Sequence, residues 1–154
     1  MKKYIHYGAN EFDKEKLCNI YKEETGDKPN GLWGSPLSSE YGWKEWCLWK
    51  EFRTERLKES FKFRIDKKAK ILRVRREEDI LSFVIKDPYN RREPLDGCKT
   101  CRFFDQLDLK RIYKTFDGME YIDSDWRLYS GMFNSWDVDS IVIWNPNVIL
   151  PIKP

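Results

Sequence analysis

The chain has 154 residues, 40% of them hydrophobic and 16% aromatic, which suits one domain over 1–154 with a real core and leaves no room for two. Its 29 Lys and Arg against 26 Asp and Glu give a formal net charge of only +3, and this excludes the strong field of a dedicated nucleic-acid binder. No run approaches the roughly 20 apolar residues of a membrane span, and the start has no signal-peptide core, so a cytoplasmic protein with no membrane partner is expected.

In chain order, Lys3 to Tyr7 reads as a strand. Asp13 then caps a helix carrying Leu17, Ile20 and Tyr21, and the KPNG turn closes the first stretch. The segment GLWGSPLSSEYGWKEWCLW, Gly31 to Trp49, follows with four of the chain's seven tryptophans. Leu32 and Trp33 form a short extended run that should end near Ser35, because Pro36 has no N–H for a ladder. Ser38 or Ser39 can cap the next helix, in which Trp43, Trp46, Cys47 and Lys50 recur on one face to about Thr54. Trp33 and Trp43 or Trp46 would then face each other across the bend with room for a flat ring between them. Burial of these tryptophans as plain core is the competing expectation.

Beyond that bend, ESFKFRI alternates Phe61, Phe63 and Ile65 with Lys62 and Arg64, and AKILRV is a second half-buried strand. Glu77 to Val84 reads as a short helix, residues 87–101 as a polar loop, and Leu107 to Phe116 as a helix with Leu109, Ile112, Tyr113 and Phe116 on one side. Gly118 turns the chain into the strand MEYI. Finally DSIVIWNPNVILPI has two apolar runs split by Asn-Pro-Asn, a buried strand followed by an edge strand. Strands and helices do not strictly alternate, which is an α+β pattern.

Several chemistries are absent. The chain has no GxGxxG, GxxxxGK[ST], HExxH or GxSxG, and its single histidine, His6, leaves few options for a catalytic triad. Cys98 and Cys101 form a CxxC, but a zinc site would need Cys18 and Cys47 to join them, so reduced thiols with no bound metal are expected.

Three separated pieces, YIHYGAN, GLWGSPLSSEYGWKEWC and the strand opened by Asp139 (Asp139-Ser140-Ile141-Val142-Ile143-Trp144-Asn145), resemble in their chain order the three blocks of the NAD-dependent ADP-ribosyltransferase superfamily. The likeness is to its poly-ADP-ribosyltransferase and diphtheria-toxin-like branch and rests on about 30 residues. His6 and Gly8 match a His-containing strand followed by glycine, with Tyr7 inserted. Gly31-Leu32-Trp33, Ser35 and Trp46-Cys47 resemble the second block, and Asp139 supplies the acidic residue of the third, where glutamate is usual. Aspartate is one methylene shorter, which leaves Asp137 as a second candidate.

The resemblance implies a fold of two small packed antiparallel or mixed sheets forming an NAD cleft, flanked by short helices. It implies transfer of ADP-ribose from NAD, the co-substrate, to a protein or nucleic-acid acceptor. Cleavage of the nicotinamide bond gives the ribose oxocarbenium character, which a carboxylate stabilises. Asp139 would take that role and act as general base. His6 would hold an adenosine-side ribose hydroxyl. The backbone of Gly8, after Tyr7, would grip the nicotinamide amide, one of Tyr41, Trp43 or Trp46 would stack on its ring, and Trp33 would frame the bend. Ser35 or Ser39 could add a hydroxyl.

Lys67, Lys68, Lys70, Arg73, Arg75 and Arg76 form the most basic stretch, with Arg91, Arg92, Lys99 and Arg102 in the long loop, where an acidic acceptor could dock. Size and class suit a monomeric phage or bacterial conflict effector. The rival reading is a non-enzymatic interaction module, in which the aromatic segment is core or a protein-binding face.

Overall fold

The computed structural model describes residues 2–87, 105–122, 133 and 136–153. Within them the chain is α+β, with a seven-stranded mixed sheet, a three-stranded antiparallel sheet and short helices. The large sheet contains β1 (Lys3–Tyr7), β3 (Leu32–Pro36), β4 (Ser60–Ile65), β5 (Ile71–Val74), β8 (Gly118–Tyr121), β9 (Ser140–Ile143) and β10 (Ile149–Ile152), in the order β10-β4-β1-β3-β9-β8-β5. Only the β5–β8 pair is parallel. The small sheet joins β2 (Thr25–Gly26), β7 (Gln106–Asp108) and β6 (Val84–Ile85), with β7 in the middle.

Period-two alternation gives the large sheet two apolar faces. Trp33 pairs with Val142, Val142 with Met119 and Met119 with Leu72, a row belonging to the core beneath α3 (Leu109–Thr115). The next row, Leu32, Ile143, Gly118 and Ile71, turns to the other face, where Tyr4, Phe63 and Leu17 of α1 (Lys14–Cys18) pack. All four residues of β9 are buried, as its unbroken apolar run requires. At Gly118 a Cβ would lie 2.4 Å from Ile143 Cδ1 and 2.7 Å from the Val142 carbonyl oxygen, so the close approach of β8 to β9 needs glycine.

Several boundaries differ from those read in the sequence. Asp13 does cap α1, accepting the Lys16 N–H, but the helix ends at Cys18, short of Ile20 and Tyr21. The helix after the aromatic bend, α2 (Trp43–Lys50), stops before Thr54 because Glu51 turns left-handed, φ 51°. It is started neither by Ser38 nor by Ser39: the Ser35 hydroxyl accepts the Trp43 N–H at 2.9 Å, and the Glu45 carboxylate accepts the Gly42 N–H. Glu77–Asp79 and Leu81–Phe83 form two 3-10 turns, and Val84 leaves them to pair in β6. Leu107 lies in β7 rather than in the following helix, and Gly118 is part of β8 itself. The final two runs are a buried strand and an edge strand as read, and a 3-10 turn at Pro146–Val148 joins them.

Cys18 is exposed and Cys47 buried, both free, and the described residues contain no group of three or more His, Cys, Asp or Glu placed to hold a metal. Cys98, Cys101 and the basic residues Arg91, Arg92, Lys99 and Arg102 lie outside the described residues. No helix among the described residues is long and apolar enough to cross a membrane.

Candidate functional site

Three strands adjacent in the sheet, β1, β3 and β9, carry the three sequence blocks. His6 on β1 bonds the Trp33 carbonyl of β3 at 2.6 Å through Nδ1. A carbonyl can only accept, so Nδ1 carries the proton and Nε2 of the neutral ring keeps its lone pair. Burial holds His6 below its ordinary value of 6.5, against the opposing effect of that hydrogen bond, with Lys16 adding a smaller downward push. Phe61 backs the ring at 5.2 Å.

Ser35, two residues along β3 from Trp33, is buried and starts α2 as described. Its hydroxyl accepts that bond and still has a proton to donate. One turn into α2, Trp46 stacks on Trp43 at 5.0 Å and 14°, and Phe52 closes edge-on against both. On the other side of the bend, Trp33 meets Trp136 at 4.7 Å, and the Trp136 indole donates to the Asp27 carbonyl.

Between these groups lies a cavity of about 310 Å³, at the small end of ligand sites. Trp33, Trp43 and Trp136 give it aromatic walls, and His6, Tyr7, Ser35 and Ser140 contribute polar groups. Among the described residues its charged lining is three cations, Lys28, Arg53 and Arg56, against one carboxylate, Asp137. The Lys28 ammonium sits 4.6 Å from the Trp33 ring centroid; burial lowers its pKa, while Asp137 and Asp27 pull it back up. Burial raises the Tyr7 phenol, and Glu45 adds to the rise. Arg53 is delivered by an unusual corner: Glu51 and Arg53 are both left-handed, φ 51° and 47°, and are the only non-glycine residues of positive φ among those described.

Of the residues singled out in the sequence, His6, Tyr7, Trp33, Ser35 and Trp43 line this one cavity. Trp46 stands behind Trp43, and Tyr41 is 38% exposed; neither is part of the lining. Gly8 is left-handed, φ +100°, and its N–H is taken by the Glu59 carbonyl at 2.8 Å, which leaves its C=O as the group to offer an amide. Asp139, just before β9, accepts a hydrogen bond from Ser39 at 3.0 Å, and both lie outside the lining, whereas Asp137 is within it. Sequence reasoning passed over Lys28, Arg53, Arg56 and Trp136. The only signal was Trp136 itself, a tryptophan in the polar run NSWDVDS beside the third block.

Fold and site together define an α+β protein with an aromatic, cation-rimmed cavity at the junction of three strands. No family model, curated protein or solved structure matches the chain.

Proposed function

We propose that the cavity binds NAD and that the protein is an ADP-ribosyltransferase of the fold family that its three blocks resemble. The observation that carries this reading is convergence. His6, Trp33, Ser35 and Trp43 come from two blocks that the chain separates by twenty residues, yet they line one cavity, to which Asp137, just before β9, and Ser140, its first residue, also contribute.

The chemistry fits residue by residue. Nicotinamide is a flat, electron-poor ring, suited to the space between the Trp33 and Trp43 walls. Arg53, Arg56 and Lys28 match the two negative charges of a diphosphate. His6 Nε2 can accept a ribose hydroxyl proton, and Ser35 can donate to a second oxygen. Cleavage of the ribose C1′–nitrogen bond sends its electron pair to nicotinamide and leaves positive charge on the ribose. A nucleophile of the acceptor then bonds C1′ and gives up its proton to a base. Asp137 is the carboxylate that lines the cavity, whereas Asp139 lies outside the lining and accepts a hydrogen bond from Ser39.

That bond supports a second reading, an NAD binder without turnover. Incubation with NAD labelled in its adenylate part, in a bacterial lysate, separates the readings. A transferase releases nicotinamide and labels a macromolecule, and Asp137→Ala or Asp139→Ala abolishes both while the NAD-induced rise in Tm remains. A binder shows the rise alone. With neither, the interaction module takes its place.

A further inference from the structure

The cavity and a second depression lie at the two ends of β9: Ser140 lines the first and Trp144, just past Ile143, the second. This second space is an open groove of about 540 Å³. Lys22, Lys68, Lys70 and Lys114 line it, all exposed, and none pairs with a carboxylate among the described residues. Its one acid among the described residues, Asp117, is held in place: one oxygen accepts the Lys70 N–H at 2.8 Å and the other the Asn145 amide at 2.7 Å. Four ammonium groups against the single Asp117 carboxylate, among the described residues, leave an excess of positive charge that the concave surface focuses.

The frame that holds them is rigid. The Asp117 N–H returns a bond to the Lys70 carbonyl at 2.8 Å, the N–H groups of Trp144 and Asn145 both donate to the Asp117 carbonyl, and the Trp144 indole donates to the Phe116 carbonyl at 2.6 Å. Three segments of the chain, around Lys70, Asp117 and Trp144, are thereby fixed around the groove, which Tyr113, Phe116 and Asn147 also line.

We infer that this groove binds the phosphodiester backbone of a single-stranded nucleic acid. Lysines act as point charges, and several of them around one groove suit the singly charged phosphates spaced along a strand. Paired bases inside a duplex keep their faces closed to side chains, whereas a single strand can stack its bases on aromatic groups such as the Tyr113 and Phe116 that line this concave surface. Lys68 and Lys70 belong to the basic stretch visible in the sequence, whereas Lys22 and Lys114 join them only in the fold. Nothing here depends on NAD binding in the cavity.

The test is fluorescence anisotropy of the full chain with labelled single-stranded DNA and RNA of about 12 nucleotides, a typical single-strand site size. Four phosphate contacts give a slope of log K against log salt of roughly −3, about a fifty-fold loss between about 50 and 200 mM salt. Lys68→Gln with Lys70→Gln should halve that slope and weaken binding by about tenfold at the lower salt. The control pair, Lys3→Gln with Lys62→Gln on exposed strand positions, should match the wild type. Absence of binding, an equal loss in the control pair, or competition by polyglutamate or inorganic phosphate as effective as that by the oligonucleotide would each overturn the proposal. Circular dichroism of each variant, with a melting curve unchanged from the wild type, establishes that lost binding is not lost folding.

Discussion

The left-handed corner after α2 separates strain from function in one experiment. Glu51 and Arg53 adopt φ of 51° and 47°, which costs an L-residue roughly 1–2 kcal/mol each. Glycine removes that cost but gains about 0.5–1 kcal/mol of freedom in the unfolded chain. Glu51→Gly should therefore stabilise by roughly 0.5–1 kcal/mol, a rise in Tm of about 1–4 °C for a domain of this size. Arg53→Gly gains the same amount but gives up the guanidinium held 5.0 Å from the Phe52 ring, a contact of about 0.5–1 kcal/mol, so its stability should stay near that of the wild type. Binding should split the other way. Arg53 lines the cavity and Glu51 does not; losing one charge-assisted bond to phosphate, about 1.5–3 kcal/mol, should weaken NAD roughly ten- to a hundredfold, while Glu51→Gly binds normally. Thermal melts and isothermal titration with NAD measure both. A lower Tm for Glu51→Gly would refute the strain argument, and wild-type affinity in Arg53→Gly would remove Arg53 from the site.

Other perturbations probe the supports of the cavity. Ser35→Ala leaves the Trp43 N–H without its acceptor and should cost about 1 kcal/mol, read as a lower urea midpoint; an unchanged midpoint would show that Glu45 alone suffices. Gly118→Ala drives a Cβ to 2.7 Å from the Val142 carbonyl oxygen, a backbone atom with no room to yield, and should destabilise by about 1–3 kcal/mol or more. His6 is the chain's only histidine, and burial lowers its folded pKa below 6.5. The unfolded chain then binds the proton more readily. The contribution of His6 is complete above about pH 6.5 and falls away as pH drops toward the folded value. His6→Gln should flatten the decline in Tm as pH falls below about 6.5, and an identical decline in both proteins would assign it to carboxylates.

Elements fixed by local pattern were readable from the residues alone. Alternation in KYIHY and SFKFRI, and the break at Asn-Pro-Asn, mark β1, β4, β9 and β10. Contacts between distant residues were not. The start of α2 is set by Ser35, eight residues before Trp43, a hydroxyl whose position depends on where β3 ends. Its end is set by a left-handed Glu51, which carries none of the glycine signal that usually marks such a stop. Leu107 joins a strand because β2 and β6 flank it, a pairing no local window contains. The same division holds at the cavity. Trp33 and Trp43 of the aromatic wall were visible as a cluster in one segment, whereas Trp136, Lys28 and the corner that carries Arg53 and Arg56 meet them only in the fold.

Nicotinamide release from NAD, followed by chromatography with the wild type, Asp137→Ala and Trp43→Ala side by side, tests the central proposal most directly. A transferase or NAD-cleaving enzyme built on this cavity gives release in the wild type, none in Asp137→Ala despite an NAD-induced rise in Tm, and neither release nor rise in Trp43→Ala. Wild-type protein that neither releases nicotinamide nor gains thermal stability at millimolar NAD would contradict it.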